Sequence, residues 1–179
     1  MRHDHCNSSA NPALRALVYV LQGAIHDRYL ARRPYLGLSR KEFEFLVCFC
    51  FPADQRLLIA KARALTALPV LTQDEFDDLV ELFMEHRADE APITRWVAHA
   101  MAAACMGDRH LWQDMGLPHR TALNTLIATY FPQLHAQNTA NMKWKKFFYR
   151  QLCEREGILI CKAPRCDICP DFSLCFSME

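Results

Sequence analysis

Four cysteines near the end of the sequence have the residue type and the spacing of a metal site. They follow the pattern C-x4-C-x2-C-x5-C and are Cys161, Cys166, Cys169 and Cys175. Pro164 and Pro170 interrupt the run, so the four residues cannot lie on one regular helix or strand. A loop can instead bring their sulfurs to a common point. Because thiolates are soft ligands, such a point would bind zinc, copper(I) or an iron–sulfur cluster.

The spacing favours an iron–sulfur type of cluster. Structural zinc sites usually combine two short ligand pairs that are separated by secondary structure. Here one run supplies all four cysteines, with unequal gaps and no histidine between them, which is typical of iron–sulfur proteins. A compact zinc knuckle and a pair of disulfides stay open as alternatives.

The composition is that of a soluble globular protein. The chain has 179 residues, of which 51% are hydrophobic and 23% charged, and its net charge is +1. This charge provides no overall field that would attract nucleic acid or a membrane, and we expect neither as a partner. The sequence contains no bilayer-length apolar run and no secretory signal pattern. We therefore expect a cytoplasmic protein with reduced thiols.

The apolar periodicity and the five glycines predict an all-α fold. We expect a single-domain bundle of about seven helices, followed by a C-terminal cysteine-rich metal-binding loop. The predicted parts are a flexible tail over 1–12, a helical domain over 13–157 and a cluster-binding segment over 158–179. The predicted helices cover about 12–33, 39–52, 54–67, a stretch from 72, 92–106, 118–131 and 141–156, with a polar link over 133–140. A capping box of Ser39 and Glu42 is expected to start the second helix, whose buried side would hold Phe43, Leu46, Val47 and Cys50. The fifth helix, over 92–106, is apolar nearly all round and is therefore expected to be central.

The other cysteines are interpreted as packing residues, because an unligated cysteine behaves as a small hydrophobe. This applies to Cys48, Cys50, Cys105 and Cys153. Cys6 lies in the polar tail, where fraying is a better explanation than metal binding.

Two further stretches carry residues that could assist a metal site. The loop from Gly107 to Pro118 holds His110 and Trp112, and functional residues concentrate on such connections; capping by His110 and packing by Trp112 explain it equally well. On the last helix a basic face is predicted from the spacing of Lys143, Lys146 and Arg150. Lys162 and Arg165 add charge inside the cysteine run. These cations would offset the negative charge of a thiolate-bound cluster.

The segment NMKWKKFFYRQLCEREG over 141–157, followed directly by the cysteine run, closely resembles the NifQ family of nitrogen-fixation proteins. The segment HLWQDMGL over 110–117, with Arg120 after it, is similar to the same family. The resemblance is strongest over about 90–176.

The resemblance implies a mixed molybdenum–iron–sulfur cluster on Cys161, Cys166, Cys169 and Cys175. It implies that the protein supplies molybdenum for assembly of the iron–molybdenum cofactor of nitrogenase. The implied partners are the cofactor-assembly scaffold complex and the nitrogenase iron protein. Molybdate, the metal source, is an oxyanion that cations would help to capture. Lys162, Arg165 and the basic helix are candidates for that step, and His110 for an extra ligand or a partner contact.

No catalytic motif is found in the sequence, so we expect a metal donor and not an enzyme. Two other functions stay open. One is electron transfer by a plain iron–sulfur cluster, and the other is a zinc-stabilised module that binds an acidic partner through the basic helix.

Overall fold

The computed structural model describes residues 12–25, 34–51, 56, 59–60, 74–107 and 109–157. These residues form α-helices and no strand, which confirms the all-α prediction for this part of the chain. None of the helices within these ranges is long and apolar enough to cross a membrane. The helices are α1 Pro12–Ile25, α2 Arg40–Cys50, α3 Asp74–Glu85, α4 Pro92–Cys105, α5 Leu111–Asp114, α6 Arg120–Tyr130, α7 Pro132–Gln137 and α8 Trp144–Glu156.

Helix α4 is the centre of the bundle. It is apolar on nearly all sides and rich in alanine, and its residues from Trp96 to Cys105 are all buried. Small side chains allow close approach, and α4 packs against α1, α3 and α5. Pro92 opens the helix, as proline favours the first helical position. These observations confirm that the helix predicted over 92–106, which is α4 in the structure, lies at the centre.

An aromatic cluster joins helix α8 to the rest of the core. The ring of Phe148 meets that of Phe83 on α3 edge to face, with centroids 4.8 Å apart. Phe83 also contacts Phe131, at 5.4 Å, and Trp144 stacks on Phe148 at 5.6 Å. Such ring pairs add about 0.5–1.5 kcal/mol each beyond the area they bury. The aromatic side of α8 therefore faces inward.

The start of α2 follows the predicted capping box. The backbone N–H of Glu42 donates to Ser39 Oγ at 3.3 Å, and the backbone N–H of Ser39 donates to Glu42 Oε2 at 3.1 Å. The predicted inner side of this helix, with Phe43, Leu46, Val47 and Cys50, is buried.

Two predicted boundaries are wrong. The polar link over 133–140 is partly helical, because Pro132 starts α7 and Leu134 is buried. Helix α8 begins at Trp144 and not at Asn141, which has a φ of 52°. That left-handed conformation cannot continue into an α-helix. Of the predicted third helix the structure describes Arg56, Ile59 and Ala60, which are helical.

A left-handed turn precedes α2. Tyr35, Leu36 and Gly37 have φ values of 53°, 55° and 72°. Non-glycine residues in this region cost on the order of 1–3 kcal/mol each. Burial of Leu36, which is 1% exposed, offsets part of that cost. The Leu36 carbonyl also accepts a hydrogen bond from Nδ1 of His99 on α4, at 2.8 Å.

Burial favours the neutral imidazole form of His99. Because a carbonyl can only accept, Nδ1 carries the proton, and the buried Nε2 has no hydrogen-bond partner among the described residues. Burial lowers the pKa of His99 below its ordinary value of 6.5, and Arg95 lowers it further, while the Leu36 carbonyl, Glu42 and Asp77 oppose the shift.

We expect the free energy of unfolding to fall as the pH is lowered from about 7 to about 5.5. In this window the unfolded state takes up a proton on His99 and the folded state does not, so acid favours unfolding. The carboxylates titrate at lower pH. Urea titrations at several pH values should show a smaller decline for His99→Gln than for the parent protein. An equal decline in both proteins would contradict this role of His99.

Candidate functional site

Asp114 is a buried carboxylate at the end of α5. Its side chain is 3% exposed, and its Oδ2 lies 2.6 Å from Nζ of Lys145 on α8. The other oxygen, Oδ1, accepts from Nε of Arg109 at 3.1 Å, and the Arg109 backbone N–H donates to Oδ2 at 3.2 Å. A carboxylate this buried requires such partners. We call Arg109, Asp114 and Lys145 the Asp114 cluster.

The Asp114 cluster joins three parts of the chain that are distant in sequence. Lys145 also donates to the carbonyl of Gly107, at 2.7 Å, and Arg109 Nη2 donates to the hydroxyl of Tyr19 on α1, at 3.2 Å. At position 107 a Cβ would lie 2.5 Å from the Asp114 carboxylate. Glycine is therefore needed there, and the cluster fixes α1, the α5 loop and the N-terminal end of α8 together.

His110 lies at the N-terminal end of the same short helix. It is exposed, it is the N-cap residue of α5, and its backbone N–H donates to Gln113 Oε1 at 3.1 Å. Trp112 is partly buried against the core. The structure thus shows packing by Trp112, and it leaves the His110 ring accessible beside the Asp114 cluster.

The predicted basic face is spread along α8. Lys143 is the N-cap residue, Lys146 lies in the first turn, and Arg150 Nε pairs with Glu154 at 2.8 Å. Both members of that pair are more than half exposed, so it adds little stability. Sequence reasoning did not identify Lys145 as the lysine that binds a buried acid. The available signal was Asp114 itself, which is the one acid among residues 110–119, a stretch without lysine or arginine.

Contacts at both ends determine where α8 lies. Before it, Arg120 Nη2 donates to the carbonyls of Asn141, at 2.9 Å, and Met142, at 2.7 Å. At its other end, Arg155 Nη2 lies 2.9 Å from Glu85 Oε1 on α3. Gly157, with a φ of 65°, ends the helix, as glycine commonly does. Helix α8 is about 20 Å long, so Lys143 and Lys146 are separated from Gly157 by most of that length.

The cysteines of the described helices do not form a metal site. Cys50, Cys105 and Cys153 are buried, as predicted, and Cys48 is half-buried. Burial raises the pKa of the Cys105 thiol to about 12, with a smaller increase from Asp114 and a decrease from Lys145. Such a thiol stays protonated at neutral pH. Within the described ranges no group of three or more His, Cys, Asp or Glu residues could hold a metal ion.

The predicted metal ligands lie outside the described residues. This applies to Cys161, Cys166, Cys169 and Cys175, and to the candidate contacts Lys162 and Arg165. In the sequence, the segment that carries them starts directly after Gly157.

Replacement of Asp114 by Asn should destabilise the protein by about 3 kcal/mol, because it leaves the charge of Lys145 without its partner. Chemical denaturation at pH 7 measures this loss. The matched control is Glu154→Gln, which removes an exposed pair and should cost less than about 1 kcal/mol. The double variant Asp114→Asn/Lys145→Gln should recover part of the loss. Equal effects of Asp114→Asn and Glu154→Gln would show that the cluster is not important for stability.

The sequence was also compared with known proteins. The sequence model of a family described as NifQ matches residues 16–177. Protein NifQ of Azotobacter vinelandii is 43% identical over 153 residues, which cover 81% of this chain and 78% of that protein. Protein NifQ of Rhodobacter capsulatus is 44% identical over 101 residues, 56% of each chain. Protein NifQ of Klebsiella pneumoniae is 47% identical over 81 residues, which are 45% of this chain and 48% of that one.

No solved structure matches the chain significantly. The match over residues 16–177 includes both the helices of the Asp114 cluster and the cysteine run. The chain therefore belongs to the NifQ family of nitrogen-fixation proteins.

Proposed function

We propose that this protein carries a molybdenum–iron–sulfur cluster as cargo and supplies molybdenum for assembly of the iron–molybdenum cofactor of nitrogenase. The observation that carries the proposal is the run of four cysteines immediately after α8 in a chain of the NifQ family. Cys161, Cys166, Cys169 and Cys175 are the proposed ligands. The protein would act in the cytoplasm as a donor and not as an enzyme.

The described helices, which we call the helical body, support a donor whose metal is held by the cysteine run and not by the helices. Its buried thiols are packed in the core, so they do not compete for soft metals. Its buried carboxylate, Asp114, is engaged by Lys145 and Arg109, so both of its oxygens are occupied within the fold. Helix α8 is anchored through Lys145 and through Arg155. The body therefore offers a fixed attachment point for the cysteine segment.

We propose that cations assist the uptake of molybdate. Lys143 and Lys146 on α8, with Lys162 and Arg165 from the cysteine run, would attract an oxyanion. Arg150, whose guanidinium pairs with Glu154, is a further candidate. The exposed His110 is a candidate extra ligand or partner contact. The proposed recipients are the cofactor-assembly scaffold complex and the nitrogenase iron protein.

Metal and sulfide analysis of protein purified without oxygen from molybdate-fed cells tests the ligand assignment. We expect iron, sulfide and molybdenum in the native protein. All three should be lost when Cys161, Cys166, Cys169 and Cys175 are changed to Ala, because thiolates are the cluster ligands. The matched control is Cys48→Ala, which changes a half-buried cysteine and should retain the metals.

Other metal contents would contradict the proposal. Iron and sulfide without molybdenum, together with reversible redox cycling, would indicate electron transfer. One zinc per chain, bound under strict anaerobiosis, would indicate a zinc-stabilised interaction module.

Replacement of Lys143 and Lys146 by Gln should slow molybdenum loading and make it less sensitive to salt, because screening acts on the charges that attract the oxyanion. Incubation of iron-loaded protein with molybdate under reducing conditions, at two ionic strengths, measures this rate. The control Arg40→Gln removes an exposed charge from α2 and should leave the loading rate unchanged. Unchanged loading in the Lys143→Gln/Lys146→Gln protein would exclude these lysines from uptake.

A further inference from the structure

Helix α2 exposes two phenyl groups on its outer side. Phe45 is 60% exposed and Phe49 38%, and they are the large apolar side chains left exposed in the described part of the chain. Both rings lean on the buried Trp96 of α4, with centroid distances of 5.7 and 5.6 Å. Together with Lys41 they form a row at i, i+4 and i+8 along α2, so they share one face of the helix.

This row borders an open cavity of about 460 Å³ between α2 and the loop that precedes α4. The apolar part of its lining comes from Phe45, Met84, Ala91, Pro92 and Trp96. Exposed apolar patches with a polar rim are typical of interaction sites. We call this cavity and the row of Lys41, Phe45 and Phe49 the α2 face.

The charges of the α2 face have opposite signs on its two walls. Lys41 belongs to α2 and makes no ion pair with another described residue, whereas Asp89 and Glu90 belong to the loop before α4. Glu90 contacts Arg87 but its side chain is 78% exposed, and contacts of this kind are weak and replaceable. Between the walls, Arg95 and Glu42 neutralise each other at 3.1 Å.

We propose that the α2 face binds the α2 face of a second copy of this chain. In a contact with two-fold symmetry, the same surface of both copies is used, and every contact between two different residues occurs twice. The surface must therefore complement itself. A face with a cation on one wall and acids on the other meets this requirement when the second copy is rotated by 180°. Lys41 of each copy then faces Glu90 of the other, and Phe45 of each copy enters the opposing cavity.

The presence of both charge signs around the cavity favours a second copy of this chain over a partner with a strong net charge. A strongly basic or strongly acidic partner would meet like charges on one of the two walls, which weakens association. The exposed apolar area is small, so the dimer should be weak and dependent on concentration. This inference does not rest on the proposed metal-donor function.

Sedimentation velocity of the full chain over a wide range of concentrations tests the proposal. The parent protein should shift from monomer to dimer as its concentration rises. Phe45→Ser/Phe49→Ser should weaken self-association at least about tenfold, because central aromatic anchors dominate interface energy. Lys41→Glu should weaken it by about threefold, since a rim charge contributes less. The charge swap Lys41→Glu/Glu90→Lys should restore association.

Two controls accompany these variants. Far-UV circular dichroism checks that each one is folded, and Gln137→Glu places a new charge on an exposed position of α7, where self-association should not change. A parent protein that stays monomeric at all concentrations would overturn the proposal. So would a dimer that is insensitive to the phenylalanine changes, or a charge swap that fails to restore association. If the protein is strictly monomeric but the α2 face is protected from hydrogen–deuterium exchange, the proposal is also overturned, and the face binds something other than a second copy.

Discussion

The structure depends on the way helix α8 is held against the bundle. Its aromatic side chains bury themselves against α3, with Phe148 meeting Phe83 at 4.8 Å. Its first turn is fixed by the pair between Lys145 and the buried Asp114. Both kinds of contact are needed, because aromatic burial supplies most of the energy but is not directional, whereas a hydrogen-bonded ion pair in a buried place has a defined geometry. Helix α8 therefore has one position.

That position matters because the sequence continues from α8 into the four cysteines. A metal donor, which is the function proposed for this protein, has to keep its metal away from competing ligands and still present it to a recipient. The helical body meets the first need by burying Cys50, Cys105 and Cys153, and it gives the cysteine segment a fixed origin at Gly157. The α2 face, with its exposed phenyl groups, lies on a different element from this origin. The proposed self-association and the proposed metal transfer therefore need not compete for one surface.

Local patterns were sufficient for much of the fold. The capping box at Ser39 and the apolar run of α4 depend on neighbouring residues, and both were predicted correctly. The start of α8 was not, because the left-handed Asn141 is stabilised by Arg120, which is 21 residues away. The partners Asp114 and Lys145 are 31 residues apart, so periodicity could not pair them. The cysteine run was recognisable because its four cysteines are close in sequence.

X-ray absorption at the molybdenum and iron edges of the protein, purified without oxygen, tests directly whether the four cysteines bind a molybdenum–iron–sulfur cluster. We expect molybdenum with sulfur and iron neighbours, and the loss of these neighbours when Cys161, Cys166, Cys169 and Cys175 are replaced by Ala. Molybdenum surrounded by oxygen alone, or the same spectrum in both proteins, would contradict this expectation.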